Sequence, residues 1–342
     1  MNKKEKYKNN LKLVFENLLR FAFNVLFATG FQILFGGENI LPGVAICVGL
    51  TMLPYMDTGI RPLTMAGIIM ILYTGSGIAA QFALGSPWIA LPVYFIFVVL
   101  IMILTGEPLE LRVSVSFLLC FVFCQANPVP PEAFPGRMAA LAAGAALTAL
   151  VTFLVWRWKG IGENGKTLLG QVRLCFKNKG YILRTGLGLA LAMLLGMLMG
   201  LKRPMWISIV VMSLTQADFI DTKKRILYRS LATIFGAAAF AGILIPFIPG
   251  RYSMILILLL GYLSFFTKEY KYTQIVNAIC ALNASLIVLQ AQEAVVARVF
   301  CLAVGIGVVL AIWGLQNGAV RIREAFSGTL EQQGETAYKS NI

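Results

Sequence analysis

Histidine is absent from these 342 residues, and aspartate occurs only at Asp57, Asp218 and Asp221. Without histidine there is no Ser-His-Asp or Cys-His nucleophile pair and no imidazole metal site. The six cysteines, Cys47, Cys120, Cys124, Cys175, Cys280 and Cys301, contain no Cys-x-x-Cys spacing. They read as small, polarizable packing residues rather than a zinc or redox centre. Charge is scarce too. Charged residues make up 13% of the chain and hydrophobic ones 58%, whereas water-soluble domains carry about 25% charged residues. With a mean hydropathy of +0.79, the chain reads as an all-α integral membrane protein. It is expected to be no enzyme and to need no cofactor or metal.

A membrane span takes roughly 20 apolar residues. Windows between charged or Gly/Pro breaks give about twelve transmembrane helices, near 20–36, 40–56, 62–82, 86–105, 109–126, 137–156, 183–201, 204–218, 226–248, 252–267, 272–290 and 295–315. Cytoplasmic loops are enriched in Lys and Arg. With an inside N-terminus, five of the 29 basic residues face out, namely Arg137, Lys202, Arg203, Arg251 and Arg298, and the other 24 face in. Both termini are therefore expected in the cytoplasm, in a bacterial inner membrane. The basic start, with Lys3, Lys4, Lys6, Lys8 and Lys12, reads as a retained signal anchor. The net charge of +14 follows mainly from positive-inside loops facing anionic lipid. No basic stretch carries a nucleic-acid module, so no nucleic-acid partner is expected.

The expected organisation is a basic N-terminus over 1–18, a six-helix unit over 19–156, a cytoplasmic linker over 157–182, a second six-helix unit over 183–315 and a cytoplasmic tail over 316–342. Within the linker, residues 160–167 read Gly-Ile-Gly-Glu-Asn-Gly-Lys-Thr, a letter-for-letter Walker A string. A P-loop needs a preceding strand and a following helix inside an α/β domain, and here spans flank it closely. Residues 166–179 alternate Leu168, Leu169, Val172, Cys175 and Phe176 with Lys166, Arg173, Lys177 and Lys179. That pattern predicts a basic amphipathic helix on the inner leaflet.

The two units repeat one another. Leu50, Thr51, Asp57, Thr58 and Arg61 recur as Leu214, Thr215, Asp221, Thr222 and Arg225 at a constant offset of 164 residues. Leu19-Arg20 pairs with Leu183-Arg184, Thr105 and Glu107 with Thr267 and Glu269, and Arg137 and Gly144 with Arg298 and Gly305. Self-similarity at a fixed period is the mark of a repeat architecture. Six spans per unit bring both units into the membrane in the same direction. The expectation is two tandem six-helix repeats related by a pseudo-twofold along the membrane normal. The small residues of 139–149, including Ala140, Gly144 and Ala149, suit close helix packing.

Ionisable residues at membrane depth are costly and mark solute or ion pathways. All three aspartates fall at the ends of spans two and eight, which are short and bounded by Pro42, Pro54 and Pro204. Such interrupted spans at corresponding places in two halves point to a transport site. Thr51, Thr215 and Gln216 are candidates for neutral hydrogen bonds there, and Arg61, Arg225 and Arg229 for carboxylate-matching guanidinium forks. Asp57, Asp218 and Asp221, with Arg20 and Arg184, are candidates for coupling or gating. The plainer reading stands beside it: Asp57 and Asp221 cap the following helices, and Arg61 and Arg225 anchor them at the interface.

The second half, with Leu183-Arg184, Trp206, Arg225, Arg229, Thr233, Gly236 and Arg298, resembles the fusaric acid resistance family, also called aromatic acid exporters. Two departures are visible. Ala232 precedes Thr233 where the family commonly has Gly-Thr, and the first half has Met65 at the place of Arg229. The resemblance implies export of small amphipathic or aromatic organic acids from the cytoplasm, with Trp206 among the substrate contacts. It also implies a lipid bilayer setting and, as partners, a periplasmic adaptor protein or a second copy of the chain. The six-span unit is similar to that of plant aluminium-activated malate transporters, which conduct anions. A passive anion channel and a membrane assembly factor without transport are the alternatives. In the exporter reading, the anion enters from a basic cytoplasmic vestibule and crosses between the two halves.

Overall fold

The computed structural model describes residues 3–247, 252–267, 269–286 and 288–339. Among them there is no β-strand, only an isolated bridge between Ile60 and Lys166. The first half holds α1 (Lys3–Phe35), α2 (Ile40–Met52), α3 (Pro62–Phe82), α4 (Pro87–Thr105), α5 (Ser114–Ala126) and α6 (Phe134–Lys159). A short α7 (Leu168–Cys175) lies in the linker. The second half holds α8 (Lys179–Leu198), α9 (Met205–Leu214), α10 (Phe219–Ala239), α11 (Ile245–Phe247), α12 (Ser253–Ser264), α13 (Tyr270–Ser285) and α14 (Ala291–Lys339). A π-helical turn at Phe240–Leu244 joins α10 to α11.

Local chemistry places the helix ends. Pro62 and Pro87 open α3 and α4, positions where a missing N–H costs nothing. Gly160 stops α6 with a left-handed φ of 68°, a conformation that glycine adopts without strain. Thr167 caps α7 by accepting from the Gly170 amide at 3.4 Å.

Among the described residues, eight helical stretches are long and apolar enough to cross a membrane: Leu11–Phe35, Gly37–Tyr55, Pro62–Gly85, Pro87–Thr105, Pro131–Lys159, Leu168–Leu198, Phe219–Phe247 and Ala291–Gly318. The other apolar helices, Ser114–Ala126, Met205–Leu214 and Met254–Ser264, are shorter, as is the 16-residue α13. Each of the twelve windows read from the sequence holds a helix, but length and apolarity qualify eight of them as crossings. Arg251, one of the five basic residues expected outside, lies beyond the described residues.

Packing within the halves follows related patterns. α1 packs on α2 as α8 packs on α9, α2 on α6 as α9 on α14, and α3 on α5 as α10 on α13. Between the halves α4 packs along α8, and α1 meets α12. The small-residue stripe works as packing: a side chain on Gly144 would press on Ile46 and Phe31, and one on Gly305 would press on Val210.

The linker shows what the Walker-like string does and corrects the expectation of an amphipathic helix. The Walker-like string is a turn docked on the α2–α3 loop, with the Lys166 amide donating to the Gly59 carbonyl at 2.8 Å. Side chains on Gly162 or Gly165 would strike the backbone of Ile60, so its glycines serve close approach of two chains. The expected amphipathic helix over 166–179 is only the eight-residue α7 before a 3-10 turn runs into α8. It exposes Leu168, Leu169 and Phe176 and buries Gln171 and Cys175, because Gln171 donates inward to the Glu107 carbonyl at 3.0 Å. All six cysteines are free thiols.

Candidate functional site

α10 begins at Phe219, seven residues before the apolar window opens, so Asp221 and Arg225 lie on the helix itself. Residues four apart share a helix face, and two such pairs meet here. Arg225 and Arg229 on α10 face Tyr270 and Gln274 on α13, two helices in contact. The Arg225 guanidinium stands 4.8 Å from the centre of the Tyr270 ring. Arg229 Nη1 donates to Gln274 Oε1 at 3.0 Å and to Ser213 Oγ at 2.6 Å. Arg225 Nη1 donates to the Ser213 carbonyl at 3.3 Å. One residue at the end of α9 thus serves both arginines.

The electrostatics are lopsided. Arg229 is 3% exposed, and its hydrogen-bond acceptors are neutral. The ion pairs among the described residues, Lys12–Glu16, Lys202–Glu293 and Lys271–Glu269, all join exposed side chains. Neither Arg225 nor Arg229 has a carboxylate in such a pair. Beside them the Tyr270 hydroxyl is buried and lies against the Arg229 guanidinium. A buried cation held only by neutral groups is an arrangement to which an anionic ligand would add charge-assisted hydrogen bonds.

More positive charge borders the site. Arg112, in the α4–α5 loop of the first half, is close enough to Arg225 for their charges to repel. Arg112, Arg184 and Arg225 all act on the phenol of Tyr181. Across the seam between the halves, cations thus outnumber the two aspartates nearby: Asp218 within range of Arg184, and Asp221 within range of Arg225.

The other sequence candidates divide by what already holds them. Arg184 is buried, donating to Gln316 Oε1 at 2.7 Å and to the carbonyls of Ala217 and Gln216 at 2.7 and 3.3 Å. It also stacks 3.9 Å from the Trp313 ring centre. It therefore closes the C-terminal end of α9 and pins it to α14. The pocket lined by Arg184, Thr215, Val309, Ile312 and Trp313 is too narrow for a solute. Thr51 and Thr215 return their hydroxyls to carbonyls of their own helices, and Gln216 donates to the Ser213 and Thr215 carbonyls. Trp206 is buried beneath Arg298, 5.0 Å from the guanidinium to the ring centre.

In the first half, Arg61 is exposed, with Nε donating to the Gly165 carbonyl at 3.2 Å. It is joined to the linker rather than to Arg225. Arg20 is exposed on α1, unlike its buried counterpart Arg184. Asp57 is not the cap of α3: its Oδ1 accepts from the Gly59 amide at 2.8 Å within the loop, and Arg61 holds the cap position. Asp218 holds the cap position of α10 without a side-chain bond, and Asp221 sits in its first turn, where a negative charge suits the helix dipole.

Ser213, Tyr270, Gln274 and Arg112 were absent from the residues singled out by sequence. The spacing of Tyr270 and Gln274 repeats that of Arg225 and Arg229, and was the available signal. Which helix faces which, however, is not written in spacing.

Helix count, apolarity and a cationic core site define a polytopic helical membrane protein. Its second half carries a domain of known kind: residues 191–312 match the model of the family described as Fusaric acid resistance protein-like. Members of that family are membrane transporters with an efflux role, not enzymes. The matched stretch contains Ser213, Arg225, Arg229, Tyr270, Gln274 and Arg298. No curated protein and no solved structure matches the chain.

Proposed function

We propose that the protein exports small amphipathic or aromatic organic acids from the cytoplasm, binding their carboxylates at Arg225 and Arg229. The observation that carries this reading is the Arg229 guanidinium, buried among neutral partners and in no ion pair among the described residues. An intramembrane charge of that kind is expensive and is kept for a solute. A planar guanidinium matches a carboxylate with two parallel hydrogen bonds, and the Tyr270 ring beside it suits an acid with a ring. Asp221, one turn before Arg225, is the proposed coupling group.

In this reading all twelve helices cross the inner membrane, with both termini in the cytoplasm and two tandem repeats about an axis along the membrane normal. The offset identities and the corresponding helix pairings support the repeats, and loop charge supports the orientation. The experiment is efflux of labelled benzoate from proteoliposomes. Efflux that a proton gradient drives and an uncoupler abolishes identifies the exporter. Anion current without such a gradient identifies the passive channel instead. Absence of both benzoate and malate flux from well-folded protein overturns transport altogether.

A further inference from the structure

A third buried guanidinium of the second half is left over from the site above. Arg298 on α14 is 6% exposed and covers Trp206 on α9. Trp206 and Ser213 lie seven residues apart on α9, hence on one face and about 10 Å apart along its axis. α9 therefore carries buried arginine at both ends: Arg298 at its N-terminal end and Arg229 at its C-terminal end, with the half-buried Arg225 beside the latter. Arg229 and Arg298 are close enough to repel one another, and neither takes part in an ion pair among the described residues.

The first half lacks this row position by position. Met65, wholly buried, replaces Arg229. Ser213 corresponds to Gly49, where a side chain would collide with the hydroxyl of Tyr73. Trp206 corresponds to Pro42 and Tyr270 to Pro108. Arg61 is turned to the linker. Arg137, the counterpart of Arg298, is held by three neutral acceptors: it donates to Asn39 Oδ1, to the Glu38 carbonyl at 2.9 Å and to the Asn127 carbonyl at 3.2 Å. The other buried polar groups of that core, among them Tyr73, Tyr94, Ser116 and Gln125, are neutral.

We infer that the anion passes through the second half alone, along α9 between α10, α13 and α14, stepping from Arg225 and Arg229 to Arg298. The first half is the scaffold that holds this path. The inference rests on the transport reading above, and it replaces a route between the halves. The ligand class is a small monocarboxylate, held by one guanidinium at a time.

Benzoate efflux from proteoliposomes tests it, using wild type, Arg298→Gln, Arg298→Lys and Arg61→Gln at matched abundance. Arg298→Gln is expected to slow efflux about tenfold or more, the loss of one charged hydrogen bond. Arg298→Lys, keeping charge without the fork, falls between it and wild type. Arg61→Gln stays within about twofold of wild type, as exposed charges do. Benzoate should also change the emission of Trp206, read as the difference between wild type and Trp206→Phe. Equal slowing by Arg61→Gln and Arg298→Gln returns the path to the seam and overturns this inference while transport stands. Absence of benzoate and malate flux in wild type removes both. Should Arg298→Gln not fold, the Trp206 signal decides, and emission unmoved by benzoate in a transporting wild type refutes passage at Arg298.

Discussion

Replacing Arg229 by lysine keeps the charge and removes the fork, which makes it the sharpest probe of the site. In the native protein Nη1 is shared between Ser213 Oγ at 2.6 Å and Gln274 Oε1 at 3.0 Å, and in the proposed site the rest of the fork meets the ligand. A lysine ammonium is a single point on a flexible stem. Keeping Ser213 and Gln274 satisfied would draw it away from the ligand, so one hydrogen bond to a charged group is lost, about 1.5–3 kcal/mol. At about 1.4 kcal/mol per factor of ten, the KM for benzoate efflux should rise by about tenfold to a hundredfold. Vmax should change less, because the remaining charge still offsets the desolvated carboxylate. The assay is initial efflux rate against internal benzoate concentration in proteoliposomes, with protein quantified in the membrane. A KM unchanged in Arg229→Lys, at normal abundance, would show that Arg229 only braces α9, α10 and α13, and the binding proposal would fall.

Asp221→Asn should reduce proton-driven flux and spare benzoate exchange if Asp221 is the coupling group; both fluxes intact would leave it as a first-turn residue, whose lost charge costs the helix only about 0.3–1 kcal/mol. A single cysteine at position 166, an exposed linker site, should resist an impermeant maleimide in intact cells, and labelling from outside would reverse the proposed orientation. Gly144→Leu should lower the melting temperature of the detergent-solubilised protein, because even its Cβ would stand 2.6 Å from Ile46 Cδ1 and overpacking costs about 1–3 kcal/mol. Gly136→Ala, where a Cβ meets nothing within 4 Å, should melt as wild type does, and equal melting of both variants would contradict the packing account.

The amino-acid sequence by itself determined the bilayer as solvent, since apolar windows with so few charges have no aqueous solution. It also determined where helices form, because backbone groups in lipid must be satisfied within a segment. Arg225 and Arg229 were legible as a pair, because a spacing of four on a helix is local geometry. The resemblance of the second half to the fusaric acid resistance family was legible, and the match to 191–312 falls there. What each polar side chain is bonded to was not legible. Arg137 and Arg298 correspond in the proposed repeat, yet one is bonded to Asn39, Glu38 and Asn127 and the other covers Trp206. Arg61 and Arg225 share the same sequence offset, yet one is held by the linker and the other faces Tyr270. These outcomes depend on acceptors supplied by other helices: Gly165 lies 104 residues from Arg61 and Gln316 lies 132 from Arg184. A guanidinium is a binding group or a brace according to what surrounds its donors, and only the tertiary structure decides that.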